Sequence, residues 1–150
     1  MGNLNSMTLN ITEIFYSLQG EAREVGIPTV FVRLTGCPLR CNYCDTAYAF
    51  IGNNPLSIEK ILAEISKYKT LYVCVTGGEP MAQSNCLGLL DTLIEKGYKV
   101  SMETSGSIDI SEVNKNVSIV MDLKTPSSSE QHQNRYFHIY FGVALLMKVF

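Results

Sequence analysis

Alternation of hydrophobic and polar positions predicts the strands of this chain. Between residues 29 and 35, Val30, Val32 and Leu34 share one face of an extended segment, and Arg33 lies on the opposite face. Structure should begin near Leu9. The other predicted strands are a short one in the segment from residue 11, which passes into a loop, an uninterrupted apolar run at residues 71–76, and residues 98–104 and 117–123.

Hydrophobic residues at helical spacing predict two helices between these strands. Ser57 is a suitable N-cap for the first helix, because its hydroxyl can accept a hydrogen bond from a free backbone N–H. This helix should end before Leu71. The second helix covers residues 85–96 and stops at Gly97. Its inward-facing residues are predicted to be Leu87, Leu90, Leu93 and Ile94.

Strands that alternate with helices indicate parallel βα units, and each polar motif of this chain follows the carboxyl end of a strand. In barrels built from such units, those ends share one face of the molecule. A complete eight-unit barrel takes about 250 residues, whereas this chain has 150. We therefore predict an α/β fold, an incomplete βα barrel with parallel strands, preceded by a disordered lead over residues 1–10.

The charge balance argues against two classes of partner. The chain has 12 basic and 14 acidic residues, a net charge of -2 and no basic run, so we expect no direct contact with nucleic acid or a membrane surface. The first ten residues lack the positive and apolar segments of a secretory signal. We therefore expect a cytoplasmic protein, in which clustered cysteines hold metal more often than they form disulfides.

Three cysteines with the spacing CxxxCxxC follow the strand at residues 29–35: Cys37, Cys41 and Cys44. Structural zinc normally takes four protein ligands, and the chain has no fourth cysteine or histidine near this loop. A 4Fe–4S cluster held by three thiolates would leave one iron open to a further ligand. Both a cluster and an incomplete zinc site remain possible from these residues alone.

Other polar residues accumulate near the predicted strand ends. The sequence TGGEP follows the strand at residues 71–76, where two glycines let the backbone approach a ligand and Glu79 supplies a carboxylate. Glu103 and Ser105 can share one side of a later strand end. Arg33 can meet an anionic ligand with its planar guanidinium.

The order of these motifs resembles that of the radical S-adenosylmethionine (SAM) superfamily, whose cysteine motif and SAM amino-group motif are matched by CxxxCxxC and TGGEP. More narrowly, residues 11–128 resemble the 7-carboxy-7-deazaguanine synthase family. The segments that carry this resemblance are FYSLQGEA, VRLTGCPLRCNYCDTAYA, TGGEP, METSGS and VMDLKTPSS.

The resemblance implies a lyase of queuosine biosynthesis, a pathway of tRNA modification. Such an enzyme converts 6-carboxy-5,6,7,8-tetrahydropterin to 7-carboxy-7-deazaguanine with loss of ammonia, after hydrogen abstraction at C6. It also implies a 4Fe–4S cluster on Cys37, Cys41 and Cys44, Mg²⁺ at Thr46, an electron donor such as a flavodoxin, and a homodimer.

The same resemblance assigns the ligand-binding residues and no catalytic side chain. Substrate contacts are implied at Leu18, Gln19, Gly20, Arg33 and Thr76. SAM contacts are implied at Tyr43, Cys44, Asp45, Gly78, Glu79, Glu103, Ser105, Asp122, Leu123 and Lys124.

The chain departs from the family after Ser128. Residues 129–150 are a divergent tail that ends in an apolar run from Phe137, too short for the roughly 20 residues that span a bilayer. Relatives continue with further βα units that help to close the substrate pocket. We therefore expect a truncated or altered product.

Two other functions stay open. The first is a radical SAM enzyme with another substrate, such as an activase that makes glycyl radicals. The second is a non-enzymatic zinc-binding module, which stoichiometric zinc without iron or sulfide would favour.

Overall fold

The computed structural model describes residues 7–21, 23–135 and 145–149. Within them the chain forms seven strands and two α-helices. In chain order these are β1 (Thr8–Leu18), β2 (Pro28–Leu34), β3 (Pro55–Ser57), α1 (Ile58–Ile65), β4 (Tyr72–Gly77), α2 (Cys86–Glu95), β5 (Lys99–Thr104), β6 (Ser118–Leu123) and β7 (Leu145–Val149).

The strands form one sheet in the order β3-β1-β2-β4-β5-β6-β7. All neighbours from β2 to β7 are parallel, which confirms the predicted α/β fold, and β1 is antiparallel to both β2 and β3. The antiparallel pair was not predicted. It arises because only residues 19–27 join β1 to β2, fewer than the dozen or so that a parallel crossover needs. Within the described residues β3 and β7 are the sheet's edges, as an incomplete barrel requires.

Both helices bury their apolar faces in the core that β2, β4, β5 and β6 share. The Ser57 hydroxyl accepts a hydrogen bond from the Lys60 N–H at 3.3 Å, which confirms the predicted N-cap. The predicted inner face of α2 is partly wrong, because Leu87 and Ile94 are only partly buried. The fully buried residues follow the i, i+3, i+4, i+7 pattern of one helix face, namely Cys86, Leu89, Leu90 and Leu93.

The sheet begins at Thr8, one residue before the position at which structure was expected. Thr8 to Asn10 pair with β3, and Leu9 is 1% exposed, so the predicted disordered lead is wrong for residues 8–10. Residues 1–6 lie outside the described part of the chain. Of the divergent tail, residues 145–149 pair in parallel with β6, while residues 136–144 and 150 lie outside the described part. No described helix is long and apolar enough to cross a membrane.

One irregularity in the sheet determines which side chains of β1 reach the site. Ile11 pairs with Leu34 and Glu13 with Arg33, so Thr12 is an additional residue on β1, a β-bulge. Without it, Ile11 and Glu13 would share a face, because strand side chains alternate with period two. The bulge leaves Ile11 in the core and turns Glu13 towards the face of Arg33.

Candidate active site at the carboxyl ends of the parallel strands

A cavity of about 670 Å³ lies where β2, β4, β5 and β6 end. This volume is within the roughly 300–1,000 Å³ typical of small-molecule sites. Its position follows from the fold, because parallel strands bring the residues at their carboxyl ends to one edge of the sheet. The strand-end residues that line it are Arg33, Thr76, Gly77, Gly78, Glu103, Thr104, Ser105, Asp122 and Lys124.

All three cysteines of the CxxxCxxC motif line this same cavity. Cys37, Cys41 and Cys44 are free thiols of intermediate exposure, carried on a segment without helix or strand that we call the cysteine loop, residues 37–46. Leu39 is only 2% exposed, so its buried side chain anchors this loop to the rest of the protein. Three soft sulfur donors around one hollow are a suitable ligand set for an iron–sulfur cluster.

Among the described residues no group of three or more Cys, His, Asp or Glu side chains is arranged to hold one metal ion. No fourth cysteine or histidine lines the cavity within the described chain.

Burial affects the protonation of two of these thiols. Desolvation raises the pKa of Cys37. Desolvation also raises the pKa of Cys41, and the positive charge of Lys124 opposes that rise. Because iron binds thiolates, loading of a cluster would release protons from these two groups.

The paired glycines let the end of β4 lie against the cysteine loop. A β-carbon on Gly77, which has φ +145, would come within 2.3 Å of the Leu34 carbonyl oxygen. On Gly78 it would come within 2.2 Å of the Gly36 carbonyl oxygen. The glycines thus admit the protein's own backbone, and both also line the cavity, where the sequence had suggested that they let a ligand approach.

Most of the residues singled out in the sequence line the cavity. Glu79 and Leu123 do not. Those that do are Leu18, Gln19, Gly20, Arg33, Cys37, Cys41, Tyr43, Cys44, Asp45, Thr46, Thr76, Gly78, Glu103, Ser105, Asp122 and Lys124.

Glu79 is fully buried and serves another purpose in this structure. Its carboxylate accepts hydrogen bonds from the Thr104 hydroxyl at 2.9 Å, the Ser105 N–H at 2.8 Å and the Ser105 hydroxyl at 2.5 Å. The Met81 N–H donates to it as well, at 3.1 Å. Glu79 therefore ties the end of β4 to the end of β5, and its carboxylate does not line the cavity.

Glu103 lines the cavity, and each oxygen of its carboxylate accepts a hydrogen bond. The Thr76 hydroxyl donates to one oxygen at 2.8 Å, and the Cys74 thiol donates to the other at 3.4 Å. Desolvation, with the neighbouring charge of Glu103, raises the pKa of Cys74 well above its usual range. Cys74 therefore remains a neutral donor.

Two buried polar atoms at the cavity have no hydrogen-bond partner within the described residues. One is Nε2 of Gln19, a residue 2% exposed whose Oε1 accepts from the Gly20 and Glu21 N–H groups. The other is Oδ1 of Asp122, whose Oδ2 accepts from the Lys124 ammonium at 2.5 Å. This donor and this acceptor can therefore bind a polar ligand in the cavity.

Lys124 keeps its charge at this position. Desolvation alone would lower the pKa of Lys124, but the hydrogen bond and charge of Asp122 raise it overall. The ammonium also lies 5.9 Å from the ring centroid of Tyr43. The cavity thus has a permanent cation beside the cysteine loop.

Thr46 and Asp45 are adjacent oxygen donors at the rim, where the Thr46 hydroxyl donates to the Asp45 carboxylate at 2.5 Å. Hard oxygen ligands of this kind suit Mg²⁺. The donor chemistry therefore fits the ion that the sequence suggested at Thr46.

The aromatic wall of the cavity was missed in the sequence. Phe15 and Phe31 stack with ring centroids 4.9 Å apart, and both line the cavity with Phe50. The alternation in β2 already put Phe31 on the face of Arg33. Phe15 could not be assigned in this way, because the bulge at Thr12 interrupts the alternation in β1.

Comparison with known proteins places these motifs in context. The family model for the Radical SAM superfamily matches residues 21–138. The 7-carboxy-7-deazaguanine synthase of Methanospirillum hungatei JF-1 is 43% identical over 126 residues, 83% of this chain and 54% of the relative. That of Chlorobaculum tepidum is 42% identical over 84% of this chain and 57% of the relative.

A solved structure agrees with these sequence matches. The crystal structure of QueE from Escherichia coli superimposes with a TM-score of 0.73 at 30% identity, over 80% of this chain and 61% of that chain. This chain spans about half the length of the curated relatives it matches.

Proposed function

This chain belongs to the radical SAM superfamily, and on that premise we propose that it is a lyase of the 7-carboxy-7-deazaguanine synthase type. Its substrate would be 6-carboxy-5,6,7,8-tetrahydropterin and its product 7-carboxy-7-deazaguanine, formed with loss of ammonia. The observation that carries this proposal is the convergence of Cys37, Cys41 and Cys44 on one cavity beside Gly78. The names of the relatives support the product, and the substrate is the one that the family resemblance implies.

The cluster would be held by the three cysteines, and SAM would lie between them and the ends of β4 to β6. When bound, these groups supply one-electron cleavage of a sulfonium and hydrogen abstraction from the substrate. The protein's own residues bind SAM and the substrate, orient them and enclose them. Backbone at Gly78 and Tyr43, with the side chains of Asp122 and Lys124, borders the volume that SAM would occupy.

The substrate half of the cavity is formed by β1, β2 and the loop between them. The free Nε2 of Gln19 can donate to a pterin acceptor. Phe15 and Phe31 supply an apolar wall that excludes water from the reacting carbon. Arg33, at the end of β2, can pair with the substrate's carboxylate.

Several finer points remain predictions. They are a Mg²⁺ ion at Thr46, a flavodoxin as electron donor, a homodimer, a cytoplasmic location, and the boundary of a divergent tail at residue 129. The oxygen donors of Thr46 and Asp45 support the first of these.

The test is anaerobic reconstitution of the chain with iron and sulfide, followed by turnover with the pterin substrate and SAM. We expect bound iron and sulfide, and a product with the mass of 7-carboxy-7-deazaguanine. Cys44→Ala should lose both iron and product. The control Cys86→Ala, in the core of α2 and away from the cavity, should retain them.

Other outcomes would decide against the proposal. Stoichiometric zinc without iron or sulfide would favour the zinc-binding module. A loaded cluster and SAM cleavage without pterin turnover would favour a radical SAM enzyme with a different substrate, such as an activase.

A further inference from the structure

Arg33 lines the cavity and belongs to a polar trio with Glu13 and Tyr48, whose geometry the proposed reaction does not yet use. Nε of Arg33 donates to Oε1 of Glu13 at 2.7 Å, and the Tyr48 hydroxyl donates to the same oxygen at 2.9 Å. The Arg33 side chain is 17% exposed and that of Glu13 is 40% exposed. The Glu13 carboxylate thus holds Nε of Arg33, and the Tyr48 hydroxyl holds the same carboxylate oxygen in place.

This contact depends on the bulge in β1. Glu13 and Arg33 are direct cross-strand partners of β1 and β2, and Thr12 is the additional residue that puts Glu13 on the same face of the sheet as Arg33. β-Bulges commonly re-aim side chains next to active sites. Here the irregularity turns a carboxylate away from the core and towards a guanidinium.

Two aromatic rings restrict Arg33 further. Its guanidinium carbon lies 5.5 Å from the ring centroid of Phe15 and 5.8 Å from that of Tyr48. Both distances are within the range of cation–π contacts. Within the described residues nothing accepts a hydrogen bond from the two Nη groups, so the outer edge of the guanidinium is available at the cavity.

We propose that Glu13 and Tyr48 are positioning residues that hold Arg33 as a preformed receptor for the carboxylate of the substrate. The inference rests on the proposed function, which supplies the carboxylate. Because Glu13 occupies Nε, the ligand would be bound by the two Nη groups, in the bidentate geometry that arginine and carboxylates adopt. Preorganisation matters because a free arginine loses rotamer freedom when it binds.

The test compares the affinities of the protein for two pterins, one with and one without a carboxylate, rather than its enzymatic activity. The reconstituted chain with SAM is titrated anaerobically with pterin-6-carboxylate and with unsubstituted pterin, with binding followed by quenching of pterin fluorescence. We expect the wild type to bind the carboxylate form about tenfold more tightly. Glu13→Ala should lose most of this preference, and Glu13→Gln, which keeps an acceptor oxygen for Nε, should restore much of it.

Two further variants complete the design. Tyr48→Phe should reduce the preference by less than Glu13→Ala, since it removes one of the two bonds to the shared oxygen. Glu64→Gln removes a carboxylate that pairs with Lys67 on the surface of α1, and should leave the preference unchanged. Iron content and melting temperature are measured on every variant to show that the fold persists.

The outcomes separate this inference from the proposed function. A wild type that binds neither pterin overturns the proposed substrate and this inference with it. Equal binding of both pterins, or a preference that survives Glu13→Ala, overturns the inference alone. A preference lost in Glu13→Ala and restored in Glu13→Gln supports it, because a merely structural defect would weaken both ligands equally.

Discussion

Gly78 lies directly against Cys37. A β-carbon at Gly78 would come within 2.9 Å of the Cys37 β-carbon, and the Glu79 N–H donates to the Gly36 carbonyl at 2.8 Å. The end of β4 and the start of the cysteine loop are therefore one packed unit. Any change in their separation moves a predicted cluster ligand.

Gly78→Ala should destabilise the chain by about 1–3 kcal/mol and lower its iron content after reconstitution. The added methyl group would clash with backbone atoms of Gly36, which cannot move away as the end of a flexible side chain can. Thermal unfolding and iron quantitation measure both effects. The control is Gly88→Ala in α2, whose new methyl group would crowd the flexible end of Met7 and otherwise make an ordinary contact with Ile58. Equal stability of the two variants would contradict the packing argument.

Glu79→Ala should cost about 3 kcal/mol or more in the free energy of unfolding, because it leaves the buried donors of Thr104 and Ser105 without an acceptor. Urea unfolding measures this loss. The matched control Glu64→Ala removes a half-exposed ion pair and should change stability by only about 0.5 kcal/mol. If Glu79→Ala keeps its stability but loses SAM binding, the cofactor role expected from the sequence is the correct one.

Arg40 should slow the loss of a cluster from the cysteine loop. Its Nη1 donates to the carbonyls of Cys37 at 2.8 Å and Leu39 at 2.6 Å, and its guanidinium lies 4.3 Å from the Phe50 ring centroid. Arg40→Ala removes about 1 kcal/mol of loop stabilisation, and we expect a roughly fivefold faster loss of iron to a chelator. The control is Arg23→Ala, in the exposed turn between β1 and β2. Identical rates in both variants would argue against a role for Arg40.

Stability should fall above about pH 8.5, in part because of Cys86. Burial raises the pKa of Cys86 to about 12, with a further contribution from the charge of Glu79. Below about pH 8.5, the ordinary value for a thiol, both folded and unfolded states keep the proton. Above it only the unfolded state releases the proton, so the free energy of unfolding falls by about 1.4 kcal/mol per pH unit.

Urea unfolding at about pH 8 and about pH 10 measures this dependence. Other groups also titrate there, so the comparison is with Cys86→Ala, which should lose about 2 kcal/mol less than the wild type over that interval. Equal losses would show that Cys86 does not resist ionisation in the folded chain.

The fold and much of the site could be predicted from local patterns. Val30, Val32 and Leu34 alternate with Arg33 and proved to be the core face of β2. The cysteine and TGGEP motifs each follow a strand, and the parallel sheet necessarily brings strand ends together. Such signals are visible in the sequence because they depend on residue type and spacing within a few positions.

Other features depended on contacts between distant segments. The partner of the Glu79 carboxylate lies about 25 residues away on β5, and nothing in TGGEP indicates whether it faces a ligand or the protein. The antiparallel β1, the bulge at Thr12 and the face of α2 were likewise missed. Each depends on strand pairing and side-chain packing between distant segments, which local periodicity in the sequence does not reveal.

The sequence by itself determined the chemistry available to this protein, because three closely spaced thiols and a glycine pair belong to the covalent chain whatever its conformation. Only the tertiary structure decided which of these groups meet. It buried Glu79, joined Gly78 to Cys37 and turned Glu13 towards Arg33, because a side chain's neighbours depend on sheet register and on close packing between segments far apart in the chain.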